Sequence, residues 1–308
     1  MRSTGVGLAL LAAVLFGASA PAAKGLLGGV APQLLAGLLY LGSGTGLLLV
    51  WTLRRRGLAP GGAAAEAPLG RPDLPWLAGA ILSGGVLGPL LLLLGLARTP
   101  ASTASLLLNL EGVFTAALAW LVFREHVHRR IVVGMLAIVA GGVLLSWQGG
   151  LAGGSLIGPA AVAAACLAWA IDNNLTQRIS AGDPIQITML KGLVAGTTNT
   201  VLAFTLGAAL PAPGIALAAA VVGFLGYGVS LVLYVRALRE LGTARTGAYF
   251  SLAPFIGAVL GIVLWHEAVA PLFLAAAALM GLGLWLHLTE HHEHLHTHAP
   301  LEHSHAHV

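Results

Sequence analysis

Between residues 5 and 287 the chain is a succession of apolar runs, each close to the about 20 residues a helix needs to cross the hydrocarbon core of a bilayer. Ten runs can be marked off, at 5–27, 33–53, 74–96, 102–123, 131–147, 157–179, 185–206, 214–235, 246–265 and 271–287. Only 8% of the residues are charged, against roughly 25% in soluble domains, so water is a poor solvent for this surface. In lipid every backbone amide and carbonyl must be satisfied internally, which leaves helices or a closed barrel. Barrel strands would alternate apolar and polar residues with period two, and these unbroken runs do not. The expectation is an all-α integral membrane protein with ten transmembrane helices, packed closely through many of its 42 glycines.

The runs also repeat. Val122-Phe123-Arg124-Glu125 ends one and Leu264-Trp265-His266-Glu267 ends another, and Glu267 − Glu125 gives an offset of 142. At that offset Leu96 matches Leu238, Leu110 matches Leu252 and Gly141 matches Gly283. The chain therefore divides into a first five-helix repeat (1–148), a second (149–288) and a His-rich tail (289–308). An odd number of spans per copy inverts the second relative to the first. Duplicated membrane halves are the usual architecture of carriers.

Basic residues set the expected orientation. With a cytoplasmic N-terminus, inside segments hold twelve arginines and outside loops only Lys24 and Arg98, which places both termini in the cytoplasm and the protein in the plasma (inner) membrane. Arg2, the apolar Leu8–Phe16 stretch and Ala18-Ser19-Ala20 together resemble a cleavable signal. Removing them would leave nine spans and break the repeat, so the segment is expected to remain as the first helix.

Several function classes are disfavoured. Lys24 and Lys191 are the only lysines, and neither precedes a Ser or Thr as a phosphate-binding loop requires. Cys166 stands alone inside an apolar run, so no intramolecular disulfide can form. The net charge of +4 is spread over short loops and does not form a nucleic-acid-binding face. No paired catalytic constellation points to an enzyme.

Two matching stretches carry a family resemblance. The first runs Leu106-Leu107-Leu108-Asn109-Leu110-Glu111-Gly112-Val113 on to Glu125, and the second Ala248-Tyr249-Phe250-Ser251-Leu252-Ala253-Pro254-Phe255 on to Glu267. They resemble the EamA-type members of the drug/metabolite transporter superfamily. The second copy is the closer match; the first has Glu111-Gly112 where Ala253-Pro254 stands. The resemblance implies ten helices around a central cavity and alternating access driven by gradients. It says little of substrate, since such proteins move amino acids, metabolites and toxic cations. The expected function is export of small metabolites or amino acids. A divalent metal carrier (Ni, Co or Zn) and a metal-responsive membrane sensor are the alternatives. Gly112 and Pro254 fit helices locally weakened beside a cavity, or simply close packing.

Polar residues inside the spans are the candidate substrate or coupling residues. Asp172, Asn173 and Asn174 lie in the sixth run and Lys191 in the seventh. A charge at mid-membrane costs roughly 2.5–3.5 kcal/mol on insertion scales, so such groups usually have partners or a function. Counted from the shared loop, Asp172 and Lys191 both lie about 10 Å deep, which predicts an ion pair. The pair is read either as a structural polar latch or as part of a substrate or proton path. Asn173 and Asn174, about 100° apart on a helix, should face different neighbours. Glu111, with Asn109 close by and no evident cation at its depth, is read as a proton- or cation-coupling residue, or else as a neutral packing group. Asn199, Tyr227, Tyr234 and Tyr249 are possible cavity lining. Glu125 and Glu267 are read as structural, capping the turn into the next helix.

The tail supplies candidate metal ligands: His291, His292, His294, His296, His298, His303, His305 and His307. Imidazoles mixed with Glu290, Glu293 and Glu302 suit Ni, Co, Zn or Cu ions. The tail is read in three ways: as a buffer or sensor of metal for a metal-exporting carrier, as a pH-responsive element, or as a low-complexity appendage irrelevant to the transported substrate. No cofactor is expected to be required. The expected partners are the lipid bilayer, a small-molecule substrate and a possible metal ion, with no nucleic acid; the sequence specifies no oligomeric state.

Overall fold

A computed structural model of the chain describes residues 2–56, 69–123, 129–151, 156–179, 182–241 and 243–289. These residues form ten helical rods and, among the described residues, no strand. The first five are α1 (Arg2–Leu26), α2 (Pro32–Arg55), α3 (Arg71–Leu96), α4 (Ala101–Leu107 and Leu110–Phe123) and α5 (Arg129–Leu151). Then come α6 (Ile157–Gln177), α7 (Pro184–Thr205), α8 (Pro213–Gly223, Phe224–Val229 and Ser230–Leu241), α9 (Thr243–Phe250 and Ala253–Trp265) and α10 (Pro271–Leu288). Seven helices among the described residues are long and apolar enough to cross a membrane, and pieces of α9 and α10 are shorter but equally apolar. In α6, 21 residues long, Asp172, Asn173 and Asn174 dilute the apolar character.

Local sequence sets where the helices begin. Pro32, Pro184, Pro213 and Pro271 each open a helix, where the missing proline N–H would have had no partner anyway. Asp183 caps α7 by accepting from Ile185 N at 2.9 Å. Large apolar side chains stand exposed on the outer rods, Leu121 on α4, Leu136 on α5, Leu217 on α8 and Leu274 on α10, as lipid-facing surfaces require.

The halves interlock. α2 packs on α7 and α8, α5 on α10, α1 on α8 and α9, and α6 on α3 and α4. Small residues allow the closest crossing: a Cβ on Gly44 would lie 2.5 Å from Leu193 N, and one on Gly192 would lie 2.6 Å from Gly44 N. Such contact drives association where lipid offers no hydrophobic gain. α1 is built into this bundle against both α8 and α9.

Two irregularities interrupt the rods, and only the first went unanticipated. α3 contains a π-helical segment at Ile81–Leu87 and α8 another at Phe224–Val229, so an offset of 142 aligns Gly84 with Gly226 and Leu87 with Val229. α4 breaks at Leu108–Asn109 and α9 at Ser251–Leu252. The weak points expected at Gly112 and Pro254 thus lie just ahead of them. Gly112 sits inside the helix after its break, and Pro254 occupies the first turn of Ala253–Trp265, a place proline tolerates.

Candidate functional site

Glu111 stands in the first turn of the second α4 segment, near the middle of the Ala101–Val122 span. Its Oε1 accepts a hydrogen bond from Asn173 Nδ2 of α6 at 2.7 Å. The partner is an amide and not a cation: α6 packs along α4 and turns Asn173 toward the acid. Asn173 is exposed and Glu111 partly so, although both lie inside spans.

One residue earlier, Asp172 faces a different neighbour and is buried. Lys191 Nζ of α7 lies 2.6 Å from each of its carboxylate oxygens, and Thr176 Oγ1, one turn along α6, donates to Oδ1 at 2.8 Å. Neighbouring residues on a helix diverge by about 100°, which is how α6 presents an acid to α7 and an amide to α4. With both carboxylates ionised the group holds two negative charges and one positive. It has room in its charge balance for one proton or one further cation.

The floor of this site is the π-helical part of α3. Gly84 lies against Asp172 so closely that a Cβ there would come within 1.9 Å of Oδ2. The widened turn frees backbone carbonyls, and side chains from three helices occupy them. Tyr40 OH of α2 and Trp169 Nε1 of α6 each donate to Gly84 O at 2.9 Å, and Asn199 Nδ2 of α7 donates to Gly85 O at 3.0 Å.

From Tyr40 an arc of aromatic rings continues through the bundle. Tyr40 stacks on Tyr227 at 5.5 Å, Tyr227 meets Phe16 edge-on at 6.1 Å, Phe16 lies 5.3 Å from Phe250, and Phe250 lies 4.7 Å from Tyr234. These separations fall in the range of favourable aromatic pairs. The arc joins α1, α2, α8 and α9, so it spans both halves.

The structure therefore gathers Glu111, Asn173, Asp172 and Lys191 into one site and puts Tyr227 in the adjoining arc. Three other candidates are turned to backbone. Asn109, buried at the α4 break, donates to Leu106 O at 2.8 Å and approaches Met280 Sδ at 4.0 Å. Asn174 donates to Ala170 O of its own helix at 2.8 Å, and Asn199 is held by α3 as described. Each satisfies a carbonyl at an irregular or tightly packed point, a common use of buried amides. Glu267 caps a helix, but not the next one: it accepts from Ala101 N at 2.6 Å and Ser102 N at 2.8 Å, at the start of α4. Glu125 and the eight tail histidines His291, His292, His294, His296, His298, His303, His305 and His307 lie outside the described residues. Among the described residues no group of three or more His, Cys, Asp or Glu is placed to hold a metal ion.

Tyr40, Thr176 and Gly84 were not singled out from sequence. The Gly84-Gly85 pair inside an apolar run was the available signal, since adjacent glycines mark a place where another chain segment comes close.

Comparison with known proteins agrees with this architecture. The profile of the EamA-like transporter family matches the chain twice, over residues 3–147 and 156–289. A protein of Methanothermobacter thermautotrophicus, described as an uncharacterized transporter, is 30% identical over 274 residues, covering 84% of this chain and 78% of that protein. A protein of known crystal structure superposes with a TM-score of 0.65 over 91% of this chain and 95% of its own, at 19% identity, and shares the fold. With ten helical rods, seven of them long and apolar enough to cross a membrane among the described residues, and two family matches that together cover nearly all of them, the chain is a membrane transporter and not an enzyme, and it belongs to the EamA-like transporter family.

Proposed function

We propose that this protein is a secondary active transporter that exports a small metabolite, an amino acid among the candidates, by alternating access between two inverted five-helix repeats (1–148 and 149–288). Glu111 is the coupling residue: it takes up a proton when the substrate leaves and gives it up when the substrate binds. Asn173 holds the carboxylate in place, and the Asp172–Lys191 pair supplies a fixed, internally balanced dipole beside it. The aromatic arc from Tyr40 to Tyr234 forms the apolar wall against which the substrate body rests. The distribution of arginines supports cytoplasmic termini and a place in the inner membrane.

The observation that carries this reading is the hydrogen bond from Asn173 to Glu111, made by two side chains open to their surroundings within membrane spans. A carboxylate kept at that depth is costly unless it exchanges its charge with something that arrives and leaves. The test is flux in proteoliposomes under an imposed pH gradient, screened over amino acids and small organic metabolites. The native protein should accumulate a substrate against its gradient, and Glu111→Gln should retain exchange while losing the response to pH. Unchanged pH-driven flux in Glu111→Gln would rule out this role.

A further inference from the structure

The α3–α4 turn is held by two charged side chains from elsewhere in the chain. Lys24, in the last turn of α1, donates through Nζ to Leu96 O and, at 2.8 Å, to Thr99 O. Glu267, just after α9, accepts from Ala101 N at 2.6 Å and Ser102 N at 2.8 Å. The positive group thus meets carbonyls around the end of α3 and the negative group meets amides at the start of α4. Each is the favoured sign for a helix terminus. Beside them Trp265 Nε1 of α9 donates to Pro21 O of α1 at 3.1 Å, and Gly25 leaves just enough room for the indole ring.

All of these groups share one membrane face, because α1, α3 and α9 end there and α4 begins there. The Glu111–Asn173 contact lies nearer the other face. Asn173 is exposed four residues before the end of α6 at Gln177, and an even-numbered span ends on the opposite face. The sequence is equally one-sided at the offset of 142, where Lys24 is matched by Cys166, a buried thiol in mid-helix.

We infer that Lys24 and Glu267 are the latch of a gate that closes the transport path at the face where α1, α3 and α9 end, and that they set which face the site opens to. The inference rests on the alternating-access reading above. Opening this face requires the α3–α4 turn and the start of α4 to move away from α1 and α9, which breaks both sets of contacts at once. α4 also carries Glu111, so the state of the gate is passed directly to the acid. The groups released are backbone atoms at the membrane surface, which water can satisfy, so the open state remains accessible. Hydrogen bonds to charged groups act on a scale that shifts a two-state equilibrium about tenfold or more.

The test measures access rather than flux, so it stands apart from the identity of the substrate. In Cys166→Ser protein a reporter thiol is placed by Asn173→Cys and treated with a membrane-impermeant maleimide in sealed vesicles of each orientation. With the latch intact, the thiol should react from the face bearing the N-terminus and be protected from the other. Lys24→Met and Glu267→Gln, made separately, should each raise the rate from the protected face about tenfold or more. Glu267→Asp should keep the protection. Reaction from both faces before mutation, or protection unchanged in both latch variants while they remain monodisperse, overturns the inference. Loss of pH-driven flux in Glu111→Gln bears only on the coupling role of that acid.

Discussion

Lys191 Nζ sits 2.6 Å from both oxygens of Asp172, on helices joined by a short loop, and Thr176 completes the cluster. Removing one partner of a buried ion pair strands the other charge, at a cost of about 3–5 kcal/mol, whereas removing both is often nearly neutral. Asp172→Asn and Lys191→Met should each lower the melting temperature of the detergent-solubilised protein sharply. The double variant should recover most of the loss. Additive losses in the double variant would mean that the two side chains are held independently of each other.

Gly84 and Gly226 occupy matching places in the two π-helical segments but meet different neighbours. A methyl group on Gly84 would collide with the Asp172 carboxylate at 1.9 Å, while one on Gly226 would meet Ser19 Cβ at 2.7 Å. Overpacking by a methylene costs about 1–3 kcal/mol where neighbours can shift. Gly226→Ala should fall in that range. Gly84→Ala should exceed it, because the acid it displaces is pinned by Lys191 and Thr176. Equal melting temperatures for the two variants would show that α3 relaxes more readily than its three side-chain hydrogen bonds suggest.

The ten helical rods were readable because apolar length is written directly in residue type, and the observed ends differ from the expected ones mainly by short extensions, as at Ser230–Leu241 beyond residue 235. The Asp172–Lys191 contact was readable for a related reason: two charges at similar depth on consecutive helices have few other places to go. Hydropathy carries no information on hydrogen-bond register, so the π-helical segments at Ile81–Leu87 and Phe224–Val229 left no trace in it. The Glu111–Asn173 bond was hidden because it depends on how α4 and α6 are rotated against one another, 62 positions apart. Glu267 was recognised as a cap, but the helix it caps begins 166 positions earlier and is chosen by the packing of the halves.

Asn173 offers a finer test of the site than Glu111 itself. Its amide is the hydrogen-bond donor shown to Glu111, and a bond to a charged group contributes about 1.5–3 kcal/mol. Asn173→Leu should therefore move the pH profile of flux by about one unit or more while leaving the amount of folded protein near that of the wild type. Asn173→Gln, which keeps a donor, should restore part of the profile. A purely structural amide would instead lower the folded yield and leave the profile where it was.

His266 closes α9 in the left-handed region at φ 50°, the one non-glycine residue with positive φ among those described. That conformation costs an ordinary residue about 1–2 kcal/mol and a glycine almost nothing. It also turns the chain so that Glu267 N reaches back to Ile262 O at 3.2 Å, and the Glu267 side chain meets the start of α4. His266→Gly should raise the melting temperature slightly and leave transport unchanged. His266→Val should lower it and, by shifting Glu267, also speed maleimide access from the face that the latch protects. A destabilised His266→Val protein with normal protection at that face would separate the helix end from the gate and show that Glu267 finds α4 without the turn.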